Sequence, residues 1–575
     1  MSIQLEKNKG KQLKDLLEKT ITDRFEPDDR IRTYVIPQRI IWQSTGEGTS
    51  VENTEVLLQK RAGQITLDSR NACILKNKGE KAGVLLDFGI ELQGGVQILI
   101  WNCGNGGKTA RFRVRFGESV MEAMSEIGEE KNATNDHAIR DQKVEISFLG
   151  MTEIGNSGFR FVRIDLDDED SFVEIKSVRA VFIYKDIEYK GSFRCNDTLI
   201  NKIWDTGAYT VHLNMQNYLW DGIKRDRLVW IGDMHPETST IQAVFGYDDV
   251  VPKSLDLVKD ETPLPGWMNG IPSYSMWWVL IHYGWFLQNG DREYVKKQRE
   301  YLVSLLDYLF GFINEDGKDT IKMRFIDWPS SSNIKAGEAG VHALFIMTMD
   351  AGAKMCDEID EFEMAHQCRE KALLLKKYIP DHGDNKQAAA LMVLAGLLDA
   401  EHTNRTVLSM DGAKRISTFL GYYVLQARAK AGDIKGSLDS IREYWGGMLS
   451  LGATTFWEDF NLDWMENAAR IDEMVTDGKK DIHGDYGDYC YKGFRHSLCH
   501  GWASGPTAWL SQYVLGIHIE EPGCAVIRIC PELGDLIWVE GTYPTPKGIL
   551  YVRHEKDERG AITSRIDAPE GITLV

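Results

Sequence analysis

The chain has 575 residues, with 43% apolar, 27% charged and 10% aromatic side chains, a globular composition too long for one hydrophobic core. Its formal net charge of −19 argues against nucleic acid and anionic membrane surfaces as partners, and leaves neutral ligands open. Nine cysteines are scattered without CxxC or clustered ligand spacing, which reads as buried thiols in a reducing compartment and not as a metal framework.

Residues 1–32 read as an N-terminal helical arm. Their first stretch, MSIQLEKNKGKQLKDLLEK, is charged throughout, has no apolar core of a leader, and points to the cytoplasm. No window approaches the roughly 18 apolar residues that a membrane span needs. Over 33–190 the hydrophobic period is two. RFRVRFGES (111–119), RFVRIDL (160–166) and FVEIKSVRAVFIY (172–184) alternate, GVQILIWN (95–102) is continuously apolar, and Gly and Asn/Asp clusters separate them. That pattern predicts a β-sandwich domain. GNGGKT (104–109) is a turn between strands and lacks the spacer of a phosphate loop.

The period changes near 195. CNDTLINKIWDTG opens on an Asn/Asp cap and continues with Leu199, Ile203 and Trp204 at helical spacing. Helical runs recur at 295–314, 342–357, 363–379, 386–401 and 417–445, and Trp277 and Trp278 read as core packing in another. The loops between them carry Trp, Asp, Glu and His: LPGWMNG (264–270), FIDWPSSSN (325–333), LGATTFWEDFN (451–461), SLCHGWASGP (497–506). Residues 191–515 therefore read as a helical barrel with its chemistry on one rim. Short strands return over 516–575 as a small C-terminal β domain. The oligomeric state stays open, a homo-oligomer included.

The densest chemistry is DGIKRDRLVWIGDMHPE (221–237). It holds Asp221, Asp226, Asp233 and Glu237 among cations and beside aromatic residues. A carboxylic acid against an aromatic wall keeps its proton, because desolvation penalises the charged form, whereas one beside Arg225 or Arg227 stays ionised. That division suits acid–base chemistry at a sugar bond. The competing reading is a solvated charged surface, or a network in which these acids pair with Lys224, Arg225 and Arg227. His235 and Glu237 lack a second histidine at metal spacing, and no HExxH, Walker loop or dinucleotide fingerprint occurs, so no metal or cofactor is expected.

Residues 221–233, Asp-Gly-Ile-Lys-Arg-Asp-Arg-Leu-Val-Trp-Ile-Gly-Asp, resemble the acidic motif of inverting α-L-rhamnosidases of glycoside hydrolase family 78. GSFRCNDTLINKIW (191–204), FIDWP (325–329), GATTFWED (452–459) and SLCHGWASGPTAWLSQYVLGI (497–517) resemble further segments of that family, in the same order. The resemblance implies an (α/α)6 barrel flanked by β-sandwiches that removes terminal α-L-rhamnose from a small glycoside or oligosaccharide, without a cofactor. It assigns the general acid to Asp226 and the general base to Glu458. It assigns sugar contacts to Asp221, Trp230, Asp233, Trp328, Trp457 and His500, and Arg225, Asp327 and Trp502 in the same segments are further candidate sugar-binding residues. The family carries Glu where this chain has Asp226. An aspartate is one methylene shorter, which withdraws its proton by roughly 1–1.5 Å, and misplacement of that size costs on the order of 100-fold. Glu237 stands just downstream as the alternative acid, and His235 and Glu338 are held in reserve. A glycosidase acting on another sugar, or a weakly catalytic sugar-binding relative, are the rival readings.

Overall fold

The computed structural model describes residues 28–575 apart from 69–70, 105–107 and 129, together with Asp15, Leu16 and Lys19. Most of the predicted N-terminal arm lies outside the described residues, and its last three residues belong instead to the strand Arg30–Val35, whose backbone pairs with Ser171–Lys185. None of the helices described is long and apolar enough to cross a membrane.

The period-two region forms a nine-stranded antiparallel sheet. Its main path places Gly83–Cys103 between Met151–Leu166 and Ser171–Lys185, and Arg30–Val35 and Arg39–Gln43 add to Ser171–Lys185 and Gly83–Cys103 respectively. Alternation decides what is buried. Phe112, Val114 and Phe116 of Thr109–Gly117 have no exposure and join the core with Val84, Leu86, Val162 and Ile164. The buried pairs Arg115–Asp165 and Arg160–Asp87, at 2.7 and 2.8 Å, keep charges inside this domain paired.

The helical region divides into fully buried helices and one-sided ones. Pro272–Asn289 is apolar nearly all round and buried nearly all round. Arg292–Phe310 buries only a stripe, Val295, Gln298, Leu302, Leu305, Leu306 and Leu309, at three-to-four spacing. Among the described residues, six buried helices pack in succession: Ile231–Val244, Pro272–Asn289, Ile334–Glu358, Lys386–Leu394, Gly421–Lys430, and Gly505–Trp509 extended by Leu510–Val514. The last returns to the first, so the succession closes on itself. Thr198–Asn214, Val250–Glu261, Arg292–Phe310, Phe362–Leu375, Ala400–Thr403 and Ile434–Ser450 pack outside them.

Caps set the helix starts. Asp197 accepts from Leu199 and Ile200 N–H, Asn333 from Ala336, Asn385 from Ala388 and Asp433 from Gly436. The single run expected over 417–445 is two helices. Gly432 takes φ +76° between them, a left-handed turn that ends one helix before Asp433 caps the next. Ser192–Cys195, at the start of the region expected to be helical, is a strand that pairs with Trp538–Thr545 in a four-stranded sheet with Gly548–Lys556 and Ile562–Asp567.

The N-terminal sheet is keyed into the helical rim. Gly158 N–H donates to Ile223 C=O, Tyr209 Oη to Glu91 C=O, and Leu498 N–H to Glu118 Oε2.

Candidate active site

The starts of four buried helices, with the loops before them, enclose a cavity of about 170 Å³. Trp230 and Asp233 come from the start of Ile231–Val244, Ile271 and Tyr274 from Pro272–Asn289, Phe325 and Trp328 from the loop before Ile334, and His500 and Trp502 from the loop before Gly505. Asp221, Arg225, Asp226, Glu458, Cys490, Tyr491 and Arg495 complete the wall. Helix N-termini carry partial positive charge, which suits the Asp233 carboxyl in a first turn.

Glu458 faces this cavity at 3% exposure. Its Oε1 accepts from Arg225 Nη2 at 2.5 Å and its Oε2 from Ser497 N–H at 2.9 Å. Burial opposes its ionisation, but the charges of Arg225, His500 and His496 and the Ser497 N–H outweigh it. Its pKa lies below the ordinary 4.5, so it is a carboxylate at neutral pH.

Asp226 sits nearer the mouth. Arg225 Nη1 lies 3.6 Å from its Oδ1 and His137 Nε2 lies 3.4 Å from the same oxygen. His137 comes from the N-terminal domain, on a loop that also ties Asp136 to Arg495 and Asn132 to the Lys492 carbonyl.

Asp221 is a loop clamp. Its Oδ2 accepts from Asp226 N–H and its Oδ1 from Leu228 N–H, which folds residues 226–228 back across it. Burial raises its pKa to about 7 against the opposing charge of His500. Asp233 Oδ1 meets His500 Nε2 at 3.0 Å. Burial works against charge on His500, but Glu458 and Asp233 outweigh it and raise its pKa to about 8. Burial likewise raises Asp233, with the hydrogen bond and charge of His500 pulling in the opposite direction.

Nine of the twelve expected residues line the cavity: Asp221, Arg225, Asp226, Trp230, Asp233, Trp328, Glu458, His500 and Trp502. Three stand elsewhere. Glu237 is fully buried inside Ile231–Val244, behind Gly501, where a Cβ on that glycine would lie 1.5 Å from Glu237 Oε1. Burial raises its pKa well above the usual range, and neither carboxyl oxygen has a hydrogen-bond partner among the described residues. Sequence proximity suggested it as the alternative acid, but it lies one helical turn further along than Asp233, covered by Gly501 and off the cavity wall. Asp327 accepts from Ser417 Oγ and Ser330 N–H, at 2.6 and 2.9 Å, and so ties two loops together. Trp457, 1% exposed, packs edge-on against Phe460, because the chain at 457 points its ring into the core while Glu458 points out. Of the reserve residues, His235 hydrogen-bonds Tyr423 Oη at 2.7 Å, away from the cavity wall, and Glu338 is likewise outside it.

Sequence reading missed Ile271, Tyr274, Phe325, Cys490, Tyr491, Arg495 and His137. Tyr274 had a signal, since Pro272 marks a helix start and therefore a rim position. His137 had none, because only tertiary packing brings it over.

A second charged cluster lies behind the site. Among the described residues, the grouping with metal-like spacing is Glu118, Glu122 and His483. Lys224 fills it instead: Nζ lies 3.0 Å from Glu118 and 3.2 Å from Glu122, and donates to the carbonyls of Phe494 and His496. The ammonium supplies the positive charge that a metal would bring.

A family model described as the bacterial alpha-L-rhamnosidase 6 hairpin glycosidase domain matches residues 188–514, more than half of the chain. An alpha-L-rhamnosidase of Formosa agariphila is 30% identical over 91 residues, 16% of this chain and 9% of that protein. Solved structures agree in fold. A GH78 family rhamnosidase of Bacillus sp. GL1 superposes with a TM-score of 0.73 at 20% identity, over 90% of this chain and 55% of that one. An α-L-rhamnosidase of Streptomyces avermitilis complexed with L-rhamnose gives 0.66 at 17%, over 88% and 50%. A rhamnosidase from Klebsiella oxytoca with rhamnose bound gives 0.64 at 16%, over 84% and 96%. The chain spans about half the length of the Bacillus and Streptomyces enzymes. The helical hairpins and β sheets described above are thus a six-hairpin glycosidase fold, and the chain belongs to the bacterial α-L-rhamnosidase six-hairpin glycosidase family.

Proposed function

We propose that this chain is an exo-acting α-L-rhamnosidase that inverts the anomeric carbon of small rhamnosides. In this reading the closed helix succession is an (α/α)6 barrel over 191–515, between a β-sandwich over 33–190 and a C-terminal β domain over 516–575. The cavity takes the terminal sugar, which enters non-reducing end first. Asp226 gives its proton to the glycosidic oxygen as the C1–O bond breaks. Glu458 takes a proton from the water that attacks C1 from the opposite face. The alcohol leaves neutral, and Asp226 regains a proton from the Glu458 side through solvent.

The observation that carries this reading is the shared cavity of Glu458 and Asp226, in which Arg225 and the Ser497 N–H keep Glu458 ionised. An ionised buried carboxylate beside a sugar-sized cavity is what a water-activating base requires. Trp230, Tyr274, Trp328 and Trp502 supply apolar faces for the ring and its methyl group. Absence of any disulfide among the described cysteines fits the cytoplasmic location that we assign.

Incubation of the protein with an aryl α-L-rhamnoside, followed by NMR of the first-formed anomer, tests it. β-L-rhamnose appears first if the reading holds. Glu458→Gln should lower kcat by about 10²–10⁴-fold. No turnover in either protein overturns the rhamnosidase reading, and a panel of other aryl glycosides then decides among sugars. The short Asp226 carboxyl supports one rival, a sugar-binding relative with little catalysis, for which calorimetry would show L-rhamnose binding without turnover.

A further inference from the structure

A second cavity, of about 310 Å³, lies on the same rim. Gln387 and Arg415, near the starts of Lys386–Leu394 and Gly421–Lys430, line it with Tyr444, Asp459, Trp464 and Tyr489. The catalytic cavity uses the starts of four buried helices, and this one uses the remaining two. Consecutive residues form the wall between them. Trp328 faces the first cavity and Pro329 the second, Glu458 the first and Asp459 the second, Cys490 the first and Tyr489 the second. The rings of Trp328 and Tyr489 stack across the top, with centroids 6.0 Å apart and planes at 29°.

The lining selects a ligand. Gln387 is 3% exposed; its Nε2 donates to the Arg415 carbonyl, and its Oε1 has no hydrogen-bond partner among the described residues. A buried amide oxygen without a donor is costly, and a ligand hydroxyl would satisfy it. Trp464 is braced by stacking on Tyr486, with centroids 5.5 Å apart and planes at 14°, and offers a flat ring. Arg415 is neutralised by Asp384 and Asp411 at 3.3 and 3.2 Å, and burial keeps Asp459 protonated up to about pH 7. Asp488 at the margin disfavours an anion. A buried acceptor waiting for a hydroxyl, aromatic faces and little free charge describe a neutral sugar ring.

We propose that this cavity is a second sugar subsite, which holds a neutral pyranose of an oligosaccharide whose terminal sugar occupies the catalytic cavity and whose chain crosses the Trp328–Tyr489 ridge. The inference rests on the proposed rhamnosidase reading for the identity of the first sugar, but the second cavity has its own test.

The full chain carrying Glu458→Gln, which blocks turnover, is titrated by calorimetry with L-rhamnose and with a disaccharide of rhamnose on a neutral hexose. The disaccharide should bind at least about tenfold more tightly. Gln387→Leu and Trp464→Ala, each checked for native circular dichroism, should each remove that advantage while changing L-rhamnose affinity less than about twofold. An equal affinity for the two sugars, or an advantage that survives both substitutions, overturns the subsite. If neither sugar binds, the rhamnoside reading fails instead, and an array of neutral oligosaccharides decides the subsite. Binding lost in Gln387→Leu but kept in Trp230→Ala supports it, and no binding to any member overturns it.

Discussion

One guanidinium joins the two residues assigned to proton transfer. Arg225 Nη2 donates to Glu458 Oε1 at 2.5 Å, and its Nη1 lies 3.6 Å from Asp226 Oδ1. Arg225 is 4% exposed, so this contact is screened little by solvent. Its charge is the strongest of the forces that hold Glu458 below its ordinary pKa against burial.

Removal of that charge should therefore move the activity profile. In the parent protein the acid limb of kcat/KM against pH, where Glu458 becomes protonated, lies below about pH 4.5. Arg225→Met leaves burial unopposed by the guanidinium, so the limb shifts to higher pH and activity at pH 5 falls. A pH–rate profile with an aryl rhamnoside checks it, and an unmoved limb would remove Glu458 from the role of base.

Asp226→Asn deletes the assigned proton donor. The loss should be about 10²–10⁴-fold with alkyl or sugar leaving groups, and much smaller with a nitrophenyl group that departs without protonation. Rates for a leaving-group series read this directly. Equal losses across the series would place the acid elsewhere.

Glu237→Gln should leave kcat/KM within about threefold of the parent. The side chain is off the cavity and burial already keeps it protonated, so the amide replaces a neutral group of the same shape. A loss above 100-fold would restore Glu237 as a proton donor.

His500 predicts a pH dependence of stability. Its folded pKa of about 8 exceeds the ordinary 6.5, so its contribution is fully present below about pH 6.5 and is lost as pH rises through 8. At 1.36 kcal/mol per unit this is about 2 kcal/mol. Asp221, raised from 3.8 to about 7, acts in the same sense over the window from about pH 4 to 7. Thermal melts from pH 6 to 9 should fall, and His500→Gln should flatten the part above pH 6.5.

Lys224→Met tests the cluster behind the site. It strands Glu118 and Glu122, both at most 1% exposed, without their ammonium. Breaking a buried pair in this way costs about 3–5 kcal/mol, and thermal melting should drop by several degrees. A single Lys224→Met/Glu118→Gln/Glu122→Gln variant, which removes the ammonium and both of its carboxylate partners together, should recover part of the loss.

The amino-acid sequence by itself determined the order of sheet, helices and sheet along the chain and most of the cavity wall. Hydrophobic period separates sheet from helices because buried faces recur every second residue in a strand and every third or fourth in a helix. The cluster from Asp221 to Asp233 was legible because a short stretch rich in acids and rings has few other ways to satisfy its charges. Tertiary structure alone decided which acids face the cavity. Asp233 and Glu237 lie four residues apart, yet one lines the cavity and the other is sealed behind Gly501, since packing of the whole helix sets which group meets solvent. It also decided that Trp457 turns inward while Glu458 turns outward, and that His137, about ninety residues upstream, reaches Asp226. Such contacts depend on how separate elements dock, and that is set by the sum of many weak packing contacts and not by any local pattern.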